Sequence, residues 1–129
     1  MDVKLESRSG FLLATITGQV SLNEALEIFK QTCDAAAERG LNRILADFSA
    51  ANGKLSDLER YELGHSMSEY YANKPQIFKV ATVGNPPLIN GFGAQVASNR
   101  GLVAKTFPDL LAAIDWLNRF SQNASDATP

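Results

Sequence analysis

Apolar positions change their spacing several times along this chain, and each change marks an element. Val3, Leu5 and Ser7 alternate with Lys4 and Glu6, the period-two pattern of a half-buried strand over 3–7 at a sheet edge. Arg8-Ser9-Gly10 reads as a turn, with Gly10 free to take a positive φ. Residues 11–17, Phe-Leu-Leu-Ala-Thr-Ile-Thr, form a more apolar strand, and the short link between the two runs predicts a β-hairpin.

The spacing then becomes helical. Ser21-Leu22-Asn23-Glu24 matches a capping box, in which serine and glutamate satisfy the free amides of a helix start. Leu22, Ala25, Leu26, Phe29, Cys33, Ala36 and Ala37 follow on one stripe, and Gly40 is a natural stop, so a helix is expected over 21–39. Residues 42–48 read as a strand buried on both faces. After a loop over 49–54, Ser56-Asp57-Leu58-Glu59 gives a second capping box and opens a helix over 57–72 that stops before Pro75. Residues 77–83 form another buried strand, and Gly84-Asn85-Pro86-Pro87 breaks the chain. A short helix is expected from Gly91-Phe92-Gly93 to Asn99, then a strand over 102–107. Pro108 sits at the expected first position of the last helix, whose stripe is Leu110, Ala113, Ile114, Leu117 and Phe120.

The order β-β-α-β-α-β-α-β-α predicts an α/β fold: a mixed four- to five-stranded sheet with a parallel core, an antiparallel hairpin edge and four helices. Residues 1–121 are expected to make one domain, and 122–129, small and polar, a flexible C-terminal tail.

Composition narrows the function classes. The chain has 129 residues, 45% apolar and 20% charged, enough for one core. Its twelve Lys and Arg are scattered and the net charge is −2, so no nucleic-acid stripe is present. Met-Asp-Val-Lys-Leu-Glu lacks the basic start and apolar core of a signal peptide. No apolar run approaches the ~18 residues of a membrane span. The lone Cys33 excludes an internal disulfide and a multi-cysteine zinc site. A cytoplasmic protein without cofactor or metal is expected.

Candidate chemistry is sparse. His65 is the sole histidine, and no G-x-S-x-G elbow accompanies it, so no catalytic set is assigned. Cys33, on an apolar stripe, is expected to be a buried small hydrophobe. Asp47, at the predicted end of a strand, can face a ligand or accept loop amides. Gly91 and Phe92 belong to a shaped loop over 84–93 without the spacing of a nucleotide-binding motif. The helix over 57–72 is more informative, because it carries two stripes. Leu63, Met67, Tyr70 and Tyr71 can dock on the sheet, whereas Leu58, Tyr61, His65 and Ala72 lie at another angle and suggest a surface covered by a partner. Nothing within the chain is expected to hold Tyr61 there.

Four segments resemble a known family: Ile16-Thr17-Gly18-Gln19-Val20-Ser21, Ile44-Leu45-Ala46-Asp47-Phe48-Ser49, Lys79-Val80-Ala81-Thr82-Val83, and the run from Val103 to Leu117 ending in Ala113-Ile114-Asp115-Trp116-Leu117. Together they look like the STAS-like, or SpoIIAA-like, domains named for the anti-sigma-factor antagonists, over about residues 3–120. The resemblance implies a mixed sheet with helices packed on it, as in small uncharacterised bacterial members. The antagonists carry Asp-Ser at the start of the second helix, where a partner kinase phosphorylates the serine. Ser56 stands at that place, with Leu55 in place of the acidic residue and without the stretch of small residues that follows. As a residue of this chain, Ser56 is a helix cap completed by Glu59. The function expected is a non-enzymatic regulatory or protein-interaction module that meets a protein partner or forms a homodimer. The alternative is a carrier of a small apolar ligand or lipid, with its pocket between the 57–72 helix, the 84–93 loop and the strand ends.

Overall fold

The structure, a computed structural model, describes residues 2–72 and 79–127, without the side chains of Tyr71 and 120–127. The order is β1 (Asp2–Arg8), β2 (Phe11–Gln19), α1 (Leu22–Glu38), β3 (Arg43–Asn52), α2 (Asp57–Ala72), β4 (Lys79–Val83), α3 (Phe92–Asn99), β5 (Val103–Phe107) and α4 (Leu110–Ala127). The five strands lie side by side in chain order. β1 and β2 form the antiparallel hairpin, with Val3 opposite Ile16, and every later pairing is parallel. The α/β fold with a mixed five-stranded sheet and four helices is the one the hydropathy pattern predicts.

Strand periodicity divides the core in two. Leu12, Ile44 and Val80 project to the face covered by α1, α2 and α3, where they meet Phe29, Cys33, Met67 and Ala97. Their neighbours Leu13, Leu45 and Ala81 project to the other face and meet Ala113 and Leu117 of α4. This explains the apolar middles, 44–46 and 80–81, of the strands expected over 42–48 and 77–83, since each is buried on both sides there. Cys33 is fully buried, as its place on the α1 stripe requires.

The largest departures from the expected boundaries fall at the ends of β2 and β3 and at the start of α4. β3 does not stop at Phe48 but runs on to Asn52, because β2 extends to Gln19 and pairs with it through a register shift between Thr15 and Thr17. Pairing with β4 ends earlier, at Asp47 opposite Val83. Pro108 is not the first helical residue. Asp109 caps α4 through its carboxylate, which accepts the Ala112 N–H at 2.8 Å, so Pro108 precedes the cap. The expected strand start at 77–78, the places of Tyr71 and Phe120 on their stripes, and the side chains of the tail expected from Gln122 lie outside the described residues.

Lys79 is an unusual strand residue, only 6% exposed at the start of β4. Burial, and then the nearby positive charge of Arg43, hold its ammonium pKa below the ordinary value. Arg43 is directly across the ladder and donates to the Leu117 carbonyl at 3.2 Å, tying the strand starts to α4.

Candidate functional site

The start of α2 is built by three adjacent residues with different surroundings. Leu55 is buried among the side chains of β2, α1 and the 84–91 loop. Ser56 is exposed and closes a complete capping box: its hydroxyl accepts the Glu59 N–H at 3.1 Å, and its own N–H donates to Glu59 Oε1 at 2.9 Å. Leu58 then projects outward, 68% exposed. Asp57 and Glu59 place negative charge in the first turn, where the helix dipole favours it.

Sequence reading missed Arg60. It lies on the same turn yet is buried, donating from Nη1 to Asp57 at 3.2 Å and from Nη2 to the Pro87 carbonyl. Its Nε is buried without a hydrogen-bond partner among the described residues. Arg60 thus fastens α2 to the loop between β4 and α3. An arginine on an otherwise solvated helix start carries no sequence signal of such a role.

Farther along α2, the two stripes separate as expected. Met67 is buried, with Leu63 and Tyr70 half-buried and packed beside it. Tyr70 also donates to Asp34 Oδ1 on α1 at 2.5 Å, and that bond, with burial second, pushes its pKa up to about 12. On the outward side Tyr61 stacks on His65 at a centroid distance of 6.0 Å, and His65 Nδ1 lies 3.3 Å from Glu69 Oε1. The expectation that nothing within the chain holds Tyr61 is corrected. Arg100, at the end of α3, donates to the Tyr61 hydroxyl at 2.9 Å and places its guanidinium carbon 5.9 Å from the ring centroid. The ring remains 42% exposed. Nothing in the sequence marks Arg100 for this role, because a contact between two elements leaves no local pattern.

α3 starts beside this face. Gly91 takes φ +88, a left-handed conformation that a side chain would strain, and the Phe92 N–H is satisfied by Asn90 Oδ1 at 3.0 Å. Phe92 is 37% exposed. The two helices approach so closely at Gly64 that an added Cβ would lie 2.4 Å from the Gly93 carbonyl oxygen. A glycine inside a helical pattern is the sequence signal that could have revealed this crossing.

Ser56, Leu58, Tyr61 and His65 therefore share one helix, and Gly91 and Phe92 open the helix packed against it. Asp47 is occupied differently. Its Oδ1 accepts both the N–H and the hydroxyl of Ser49, at 2.9 and 2.6 Å, a local turn within β3 rather than a strand end.

Behind α2 lies an apolar cavity of ≈60 Å³ between α1, α2 and the sheet, with Ile28, Leu55, Leu63, Val80 and Leu88 in its wall. A second cavity of ≈40 Å³ shares Leu55, Leu63, Thr82, Leu88 and Ile89 with it and reaches Gly91 and Thr106. A third, more polar groove of ≈210 Å³ runs between Phe48–Gly53 and Asn85–Leu88. Among the described residues no three His, Cys, Asp or Glu side chains cluster as metal ligands, and no helix is long and apolar enough to cross a membrane. What the arrangement offers chemically is an apolar and aromatic surface, a helix start able to receive negative charge, and apolar space beneath it.

No family model matches the sequence, and no curated protein matches it. Solved structures do. The anti-sigma factor antagonist SpoIIAA in its unphosphorylated form superposes with a TM-score of 0.55 at 12% identity, over 91% of this chain and 96% of that one. An uncharacterised DUF3478-family protein from Shewanella loihica PV-4 with a SpoIIAA-like fold gives a TM-score of 0.51 at 18% identity, over 90% and 92% of the two chains. The shared hairpin, parallel strands and helices over nearly the whole length give this chain a SpoIIAA-like, or STAS-like, fold.

Proposed function

We propose that the chain is a non-enzymatic regulatory module of the cytoplasm that binds a protein partner through the start of α2. The observation that carries this reading is the exposure of Leu58 and Tyr61 on one helix turn, 68% and 42%, beside the 37% exposed Phe92. Such side chains gain most from being covered, and aromatic residues are enriched where proteins meet. The likeness to SpoIIAA, an anti-sigma factor antagonist, supports the same class of role. Ser56 is exposed at the near end of this surface, at a helix N-terminus where a phosphate is electrostatically favoured. In this reading its phosphorylation by a partner kinase would switch the surface, with His65 at the far end of the contact area.

Sedimentation velocity tests the docking surface directly. Self-association that Leu58→Gln removes, with the fold retained, would assign the surface to a second copy. Self-association that Leu58→Gln leaves unchanged would overturn the surface. A monomer throughout moves the same test of Leu58→Gln to a pull-down of a different protein partner, where unchanged binding would overturn it.

A second reading, a carrier of a small apolar ligand, is supported by the apolar ≈60 Å³ cavity between α1, α2 and the sheet, which Leu88 and Ile89 of the 84–93 loop also line.

A further inference from the structure

One residue lines the apolar space behind α2 and also lies directly ahead of that helix's cap. Leu55 is 3% exposed, lines both the ≈60 and the ≈40 Å³ cavities, and directly precedes Ser56 and its capping box. Val20, Ile28, Val80 and Leu88 face it across the larger cavity, and no lining residue there is charged. Of its two threonines, Thr32 already donates its hydroxyl to the Ile28 carbonyl at 2.7 Å. A bound water needs two to four polar partners, and these walls do not supply them.

We propose that this cavity binds the end of a slim, uncharged hydrocarbon chain, and that Leu55 transmits its occupancy to the first turn of α2. The proposal rests on the reading of that turn as the docking surface and supplies its regulation. The volume selects the ligand class. Sites for drug-sized molecules span ~300–1,000 Å³, and an engineered cavity of ~150 Å³ takes benzene. A space of ≈60 Å³ admits a few carbons, and its continuation into the second cavity of ≈40 Å³ favours an unbranched chain over a ring. The smaller cavity continues this space between Leu63 and Leu88 toward Gly91 and Thr106, near the carboxyl ends of β4 and β5, with Arg60 and Asn90 also in its wall. That is where ligands enter open α/β sheets.

Leu55 is one of five residues common to both cavities, with Leu63, Thr82, Leu88 and Ile89, and of these it lies nearest in sequence to the cap, so a chain that reaches from one cavity into the other touches it. Its carbonyl and the next amide are continuous with Ser56, whose N–H is held by Glu59 Oε1 at 2.9 Å. A displaced Leu55 therefore shifts the cap, and a ligand that prefers one position of Leu55 biases the conformation of the turn.

NMR titration of the full chain with n-pentane tests both parts. The expected result is saturable methyl shifts at Val20, Ile28, Val80 and Leu88, with amide shifts from Ser56 to Glu59 that saturate at the same concentration. Ala46→Val, which adds two methyl groups to the cavity wall, should abolish both sets. Ala25→Val is the second filling variant should the first fail to fold. Absence of saturable shifts at the cavity methyls overturns the site. Cavity shifts without any change at 56–59 overturn the transmission. Neither outcome touches the docking reading, which is decided by Leu58→Gln without pentane.

Discussion

The phenol of Tyr61 is held across two helices by Arg100, whose Nη2 donates to it at 2.9 Å. The exposed side of α2 is therefore an ordered platform of Tyr61, His65 and the end of α3, with Leu58 standing free of that clamp one turn earlier. A variant such as Tyr61→Glu would acquire an ion pair with Arg100 and so report on a new contact. Leu58 is the cleaner probe of docking.

Leu58→Gln should weaken association about tenfold, the size expected of an apolar contact residue, while changing stability by no more than ~0.5 kcal/mol. Met67→Glu is the contrast on the opposite stripe. It would place a carboxylate at a site 8% exposed between Phe29, Ile44 and Val80, and should unfold the domain. Sedimentation velocity and thermal unfolding of both proteins check the orientation of the helix. Unfolding by Leu58→Gln with Met67→Glu still folded would reverse it.

Ser56→Ala should cost ~1 kcal/mol, because the Glu59 amide loses its acceptor at 3.1 Å. Ser56→Asp keeps an acceptor at the helix start and should leave the urea midpoint within the spread of the wild type. If the serine is a switch, the aspartate variant should lose its partner in a binding assay with its midpoint unchanged. Equal binding by both proteins would leave the cap as its sole role.

The architecture was legible because local signals agreed with one another. Both capping boxes form as their four-residue patterns indicate, and the apolar middles, 44–46 and 80–81, of the strands expected over 42–48 and 77–83 are buried on both faces. Boundaries were less legible where a partner element decides them: β3 lengthens to Asn52 because β2 is there to pair with it. The site was only partly visible. Leu58 and Tyr61 stood out by their angle on the helix, whereas Arg60 and Arg100 act through Pro87 and Tyr61, far away in sequence. Periodicity reports which face a residue occupies and carries no record of which distant atom it meets.

Tyr70 should make stability depend on alkaline pH. Its hydrogen bond to Asp34 raises its pKa from 10.0 to about 12, so the folded state keeps a proton that the unfolded state releases. Between these values the unfolded state binds fewer protons, and stability falls as pH rises. The contribution is fully present below pH 10 and is lost on passing through about 12. Tyr70→Phe should cost ~1 kcal/mol at neutral pH, and the gap to the wild type should narrow above pH 10. Urea unfolding across that range would show it. A gap that widens with pH would contradict the bond.

Gly64→Ala offers a test of sign. In an exposed helix interior the substitution stabilises by up to ~1 kcal/mol, since alanine is the better helix former. Here the new Cβ would lie 2.4 Å from the Gly93 carbonyl oxygen and 2.8 Å from Val96 Cβ. The carbonyl belongs to the backbone of α3 and cannot rotate aside, so relief requires the two helices to part. Separating them would strain the Arg60 bond to Pro87 and the Arg100 bond to Tyr61, which hold α2 to its neighbours on either side. Overpacking of this kind typically costs ~1–3 kcal/mol, which outweighs the gain in propensity. The variant should therefore melt below the wild type by several degrees. Val96→Ala in the same chain should recover little of the loss, because it leaves the Gly93 contact in place. A variant more stable than the wild type would mean that α2 and α3 cross farther apart, and the platform formed by Tyr61 and Arg100 would lose its geometric basis.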